Sequence, residues 1–364
     1  MIKNCILVTT INHYMKKLFI ALLCTFSYSL FSQDTVKVAS MLTPDQQAEL
    51  DYNSGLEKLK NNDYTSAIDF FTKSIVNKPT FDKALTNRAV ALTQAKRYVE
   101  ACSDINTVIK LTPKNADAYF TKSLIFFNEG KKDSQLVALD KCIGLNPNHA
   151  EASYYKGLLM YENGEYKLAV ESYNKAILAK ADYAYAYNDR ASAKRAMDDL
   201  SGAIADYEKA ISLDANQAFV YNNLGSAYRE NKNLPKAIES FGKALQINPK
   251  YFIAQNNRGA AALENGNAKN AQTDFEEVLK KDPNNSSAYN GLASVAIKNK
   301  EYQKAKDMST KAIQLNAKNG PAYYNRGIAK QMLREEEGCC QDWKKAVELG
   351  VSAAKSFINT DCSE

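Results

Sequence analysis

Between residues 48 and 353 the apolar positions recur at helical spacing in short blocks, and the blocks themselves repeat. The stretches DYTSAIDFFTKSIVNKP (63–79), EYKLAVESYNKAILAKA (165–181) and NLPKAIESFGKALQINP (233–249) share one pattern. An aromatic residue or Leu is followed by Ala three positions later, by an aromatic four after that, and by Ala or Ser three further on. Spacings of three and four place these side chains on one face of a helix. Pro79, Pro113, Pro147, Pro249 and Pro283 keep a single phase, each separated from the next by one period or a whole multiple of it. No insertion breaks the register from Ala48 to Ala353.

Nine copies follow: 48–81, 82–115, 116–149, 150–183, 184–217, 218–251, 252–285, 286–319 and 320–353. Within a copy, positions 4, 7, 8 and 11 share a face of a first helix, and positions 20, 24 and 27 share a face of a second. Position 8 is small throughout, as Gly55, Ala89, Ser123, Gly157, Ala191, Gly225, Gly259, Ala293 and Gly327. Position 20 is Ala in seven copies, Cys339 in the last and Gln135 in the third. Small residues there let the two backbones approach, and aromatics at positions 4 and 24 fill the space beside them. A single copy leaves one face bare, so neighbours must stack.

An aromatic at 4, a small residue at 8, Ala at 20, an aromatic at 24 and Pro near 32, recurring at this one constant period, resembles the tetratricopeptide repeat family. Only the third copy departs strongly, with Lys132 and Gln135 at the aromatic and Ala positions. The resemblance implies an all-α fold, a right-handed superhelical α-solenoid of helix-turn-helix units whose first helices line a concave groove. The closing stretch CQDWKKAVELG (340–350) is similar to the last repeat of exported bacterial members.

The ends fit an array with caps. TPDQ (43–46) is a capping box with proline at the first helical position, which predicts a helix starting near Pro44. Residues 34–47 read as a tether and the start of the first helix, and 354–364 as a C-terminal capping segment in which VSAAKSFI (351–358) forms a short helix. The segment 1–33 differs from the rest. From Met15, a possible true start, two lysines precede an apolar run from Leu18 to Leu23 and then small residues, with Ser29 and Ser32 as cleavage positions. That order predicts a secretory signal peptide cleaved near Ser32, and hence a periplasmic or envelope location in a Gram-negative bacterium.

Composition narrows the chemistry. The chain of 364 residues is 45% hydrophobic and 24% charged, which excludes bulk disorder. Without residues 1–33, and so without Lys3, Lys16 and Lys17, 44 basic residues face 41 acidic ones, a net charge of +3. That balance leaves no nucleic-acid footprint. His149 is then the one remaining histidine, and the cysteines lack paired metal spacing, so neither a metal site nor a cofactor is expected. A single disulfide is open to an exported chain, although a vicinal Cys339–Cys340 bond would be strained. No phosphate loop, serine elbow or His-Glu-x-x-His helix is present, so the chain does not read as an enzyme.

Comparison among the copies singles out two sets of polar residues. Position 7 is arginine in four copies, as Arg88, Arg190, Arg258 and Arg326, and in those same four position 23 is aspartate, as Asp104, Asp206, Asp274 and Asp342. The coincidence predicts an Arg–Asp pair between the two helices of a repeat. A ligand-binding role for the arginines and simple copying of blocks are the rival readings.

Positions 2, 5, 9 and 12 form another stripe on the first helix, the one that lines the groove in the resembled family. Here it offers Tyr52, Phe120, Phe127, Tyr154 and Tyr161 in the early copies and Tyr324 in the last. From the fifth to the eighth copy position 5 is Asn188, Asn222, Asn256 and Asn290, flanked by Asn223 and Asn257 at position 6. Carboxamides donate to and accept from peptide backbone irrespective of sequence, and superhelical members of the family hold extended peptides in this way. A plain solvated face is the alternative for these asparagines. The Lys, Asn and Arg set of the family's carboxylate clamp is missing from any three consecutive copies.

The expectation is a non-enzymatic protein–protein interaction scaffold. It binds an extended peptide segment of another protein in its groove, within an envelope assembly or secretion machinery, and contacts membrane only through partners. The alternatives are an architectural subunit that uses its convex surface or repeat edges, and, more remotely, an enzyme or an enzyme's partner.

Overall fold

The computed structural model describes residues 42–362. The expected signal peptide with Ser29 and Ser32, residues 34–41 of the tether and the last two residues lie outside the described residues. The chain divides into two compact units, the first ending at Asp182 and the second starting at Tyr183.

The first unit holds α1 (Pro44–Lys60), α2 (Tyr64–Asn77), α3 (Asp82–Gln94), α4 (Tyr98–Leu111), α5 (Ala116–Glu129), α6 (Lys132–Leu145), α7 (Ala150–Glu162) and α8 (Tyr166–Ala179). The second holds α9 (Ala184–Ala196), α10 (Leu200–Leu213), α11 (Ala218–Glu230), α12 (Leu234–Ile247), α13 (Phe252–Glu264), α14 (Ala268–Lys281), α15 (Ser286–Lys298), α16 (Tyr302–Leu315), α17 (Gly320–Met332), α18 (Glu336–Glu348) and α19 (Ala354–Asp361). No strand occurs among the described residues, and the fold is an all-α array of tandem helical repeats. Odd-numbered helices up to α17 are the first members of their pairs, and even-numbered ones the second.

Local sequence explains where helices begin. At α1 the Gln46 amide donates to Thr43 Oγ1 at 3.3 Å while the Thr43 amide donates to Gln46 Oε1 at 2.9 Å, completing the capping box. Asp63, Asp199, Asn233 and Asn267 cap second helices, and Asn115, His149, Asn285 and Asn319 cap first helices, each accepting an otherwise unpaired backbone N–H. The turn inside each pair has one fixed need: position 15 lies at positive φ in every repeat. Glycine fills it only at Gly130, Gly164 and Gly266; Asn62, Lys96, Asp198, Lys232, Lys300 and Arg334 adopt the left-handed conformation despite their side chains. The sequence pattern had not exposed this position, because its residue type varies so widely.

Packing in each pair turns on position 8. A Cβ built on Gly157 would stand 2.5 Å from the Tyr173 ring in the first unit, and one on Gly225 would stand 2.7 Å from the Phe241 ring in the second. The aromatic of the second helix thus lies directly against a glycine of the first. Ala67, Ala101 and Ala169 in the first unit, and Ala203, Ala237, Ala271 and Ala305 in the second, are fully buried at position 20 on the opposing side of this contact. Even the divergent third repeat keeps its core, because Leu139 and Cys142 at positions 24 and 27 are buried and Gln135 is accommodated.

These two glycine roles separate experimentally. Gly157→Ala should lower stability by about 1–3 kcal/mol, because the ring must be displaced. Gly164→Ala meets no atom and should cost only the left-handed backbone term, about 1 kcal/mol. Urea unfolding followed by circular dichroism checks both, and a larger loss at Gly164 would reverse the assignment.

Candidate functional site

The four arginines at position 7 all reach aspartates at position 23. In the first unit Arg88 donates through Nε and Nη2 to the two Asp104 carboxylate oxygens, both at 2.7 Å. In the second unit the same two-pronged contact measures 2.8 and 2.6 Å for Arg190–Asp206, 3.0 and 2.5 Å for Arg258–Asp274, and 2.8 and 2.6 Å for Arg326–Asp342. All four aspartates are buried. A planar fork against a carboxylate is the strongest common geometry for such a pair, and burial makes either partner costly alone. Lys194 and Lys330 add a second cation to Asp206 and Asp342 at 2.8 Å, and the Tyr187 and Tyr323 rings lie under Arg190 and Arg326. Hydrogen bonding to Asp274 and Asp342 raises the pKa of the Arg258 and Arg326 guanidiniums still further, so both stay charged.

Position 7 also reaches backward between repeats in the first unit. Arg88 Nη1 donates to Thr72 Oγ1 at 3.1 Å, Lys122 Nζ to Asn106 Oδ1 at 2.8 Å, and Lys156 Nζ to Asp140 Oδ1 at 2.6 Å. Thr72, Asn106 and Asp140 all stand at position 25 of the preceding repeat. Comparison within single repeats missed these links because they cross a repeat boundary.

The asparagines are placed together, and they meet each other. Within the second unit Asn223 donates to Asn188 Oδ1 at 3.2 Å, Asn257 to Asn222 Oδ1 at 2.9 Å, and Asn325 to Asn290 Oδ1 at 2.8 Å. Position 6 of one repeat thus bonds to position 5 of the repeat before it. In the first unit Asn87 makes the same step to the Tyr52 hydroxyl at 3.1 Å. Asn188 and Asn222 are only 3% exposed, whereas Asn256, Asn257 and Asn290 remain half-buried. Asn256 breaks the series, because position 6 of the next repeat is Gly291 and the Phe275 ring fills the place a side chain would take; Asn256 donates instead to Asn285 Oδ1 at 3.2 Å.

The aromatic stripe of the first unit divides by depth. Phe120 is buried against the His149 ring at 4.7 Å and the Tyr155 ring at 5.6 Å, and Tyr154 is buried beside Tyr173 at 5.9 Å. Tyr52, Leu56, Val90, Leu124, Phe127 and Tyr161 stay half-buried along α1, α3, α5 and α7. Burial pushes the Tyr52 hydroxyl above its usual pKa. His149 accepts the Ala152 N–H through Nδ1 at 3.1 Å, which leaves the proton on Nε2, 3.3 Å from Asp117 Oδ1. It is a helix cap in this fold. In the second unit Tyr324 packs edge-on against Phe357 of α19 at 5.7 Å.

Among the described residues no group of three or more His, Cys, Asp or Glu is placed to hold a metal ion, and no helix is long and apolar enough to cross a membrane. Cys340 and Cys362 are joined by a disulfide with their Cα atoms 5.7 Å apart. The thiol of Cys142 is pushed up to about 12 by burial, and desolvation also raises Cys102. Neither therefore acts as a ready nucleophile at neutral pH.

Comparison with known proteins accords with this geometry. Family models described as tetratricopeptide repeat match residues 116–149, 134–186, 218–251 and 262–329, and one described as TPR repeat matches 191–232. The chain belongs to the tetratricopeptide repeat family, whose members are protein–protein interaction scaffolds. No curated protein matches the sequence. Among solved structures it is similar to a tetratricopeptide repeat protein from Parabacteroides merdae ATCC 43184, at 20% identity over 68% of this chain and 99% of that one, with a TM-score of 0.61. It is also similar to a chain of the APC/C hetero-tetramer Cut9-Hcn1, at 15% identity over 88% of this chain and 67% of that one, TM-score 0.54. A third likeness is to PilW, a type IV pilus biogenesis factor, at 17% identity over 58% of this chain and 98% of that one, TM-score 0.50. At these identities the likeness is one of fold.

The Arg–Asp geometry yields a direct measurement. A double-mutant cycle on Arg258 and Asp274, each changed to Ala, should give a coupling of at least ~1 kcal/mol in unfolding free energy. Coupling near zero would leave the pairs as inherited copies without energetic content.

Proposed function

We propose that the protein is an exported, non-catalytic scaffold that holds an extended segment of another protein along its first helices, within a bacterial envelope assembly or secretion apparatus. The observation that carries this reading is the row of half-buried apolar side chains, Leu56, Val90, Leu124, Phe127 and Tyr161, on successive first helices of the first unit. Such a row offers apolar surface at repeat spacing, which suits pockets for alternate side chains of an extended chain. In the second unit the half-buried carboxamides of Asn257 and Asn290 supply polar contacts to backbone beside their bonds to Asn222 and Asn325, while Asn256, with a buried Oδ1 and its Nδ2 on Asn285, does not. Asn188, Asn222, Asn223 and Asn325 contribute by fixing the spacing of neighbouring first helices. The buried aspartates at position 23 are spent on the arginines at position 7 of the same repeat, which suits a scaffold better than a catalyst.

Export rests on two features of different kinds. The stretch from Met15 reads as a signal peptide, and the Cys340–Cys362 bond belongs to an oxidising compartment.

A second reading has its own support. On the second helices of the first unit Val76, Val99, Val137 and Leu178 are 74%, 82%, 70% and 85% exposed, one in each repeat. An architectural subunit would use that face. Photo-crosslinking residues at Leu124 and Phe127, compared with Val76 and Val137, in the native envelope separate the two. Capture from Leu124 and Phe127, competed by a peptide of the captured partner, is expected; capture confined to Val76 and Val137 moves the interface to the second helices.

A further inference from the structure

The helix α19 stands in the register of a first helix of a tenth repeat and is shorter than the others. It begins at Ala354, one full repeat period after Gly320 begins α17, and Phe357 stands at position 4, where other repeats carry aromatics. It covers the end of the last pair. Phe357 lies 4.9 Å from the Trp343 ring and 5.7 Å from Tyr324, and Ile358 and Val351 pack on the same cluster. Trp343 is thereby fully buried. Within the second unit the inner repeats have that face covered by a full first helix that itself packs against a second helix, as α17 covers α16 and packs on α18. The covering helix here has only 8 residues.

Isolated helices shorter than ~12–15 residues are marginal in water, so α19 depends on what holds it down. The disulfide does so directly. Cys362 follows its last residue and Cys340 lies on α18, so the bond joins the far end of α19 to the last repeat across 22 residues of chain. Both cysteines are partly exposed.

We propose that Cys340–Cys362 is a thiol-controlled latch. In the oxidised form it holds α19 over the last repeat; in the reduced form α19 leaves and uncovers Trp343 and Tyr324. The opening reaction needs a dithiol reductant. One of its thiolates attacks a sulfur of the bond, which breaks as a mixed disulfide forms, and its second thiol displaces the protein sulfur. Two electrons and two protons pass to Cys340 and Cys362, which become thiols, and the reductant becomes a disulfide. The latch is independent of what the first helices bind.

Trp343 is the single tryptophan of the chain, so its emission reports the latch without a label. Dithiothreitol added to the full chain should red-shift that emission and raise its quenching by acrylamide. Tryptic cleavage after the exposed Lys355 of α19 should accelerate at least ~10-fold, because cleavage follows the population of the open form. Cys362→Ser should behave like the reduced protein with or without dithiothreitol, while its far-UV circular dichroism stays that of the array. Unchanged emission and cleavage after complete reduction would overturn the latch. So would a dithiothreitol response of equal size in Cys362→Ser.

Discussion

The two helices of a repeat approach so closely over position 8 that, where Gly157 meets the Tyr173 ring or Gly225 the Phe241 ring, no room remains for even one methyl group. Where a glycine stands there, a bulkier residue would push the aromatic of the second helix away and disturb the face the pair offers to its neighbour. Because interiors pack at crystal-like density, a pair that opened at this point would lose the neighbour's contacts as well. The fully buried alanines at position 20 serve the same approach from the second helix.

Polar groups are organised around that apolar contact at two levels. Inside repeats, the arginines at position 7 neutralise the aspartates at position 23, so that a buried charge in these pairs does not stand alone. Between repeats, lysines in the first unit and asparagines in both units bridge from one repeat to the next. Such nearest-neighbour bonds suit an array whose stability is a sum of repeat and interface terms. They also remove many conspicuous polar side chains from the set open to a ligand. What stays half-exposed is narrower: an apolar row on the first unit, a few carboxamides on the second, and the latched end at α19.

Much of the fold was legible in the chain because its information is periodic. The constant register, the small residues at position 8 and the capping box at Thr43 depend on local chemistry repeated many times, and the helices α1 to α18 follow it. The pairing of position 7 with position 23 was visible for the same reason, since both lie in one copy. The left-handed position 15 was not, because Lys, Asp, Asn, Arg and Gly all occupy it.

Residue order alone thus dictated the repeat, the helices and the partners within a copy. Contacts between copies waited on packing. Asn188 and Asn222 read as free carboxamides until the neighbouring repeat brought Asn223 and Asn257 against them. Cys340 gave no sign of its partner until the short helix α19 folded back onto the last repeat and carried Cys362 to it. The cause is the same in both cases: a contact across a repeat boundary depends on how far apart two helices sit, and that distance is set by packing that no single copy contains.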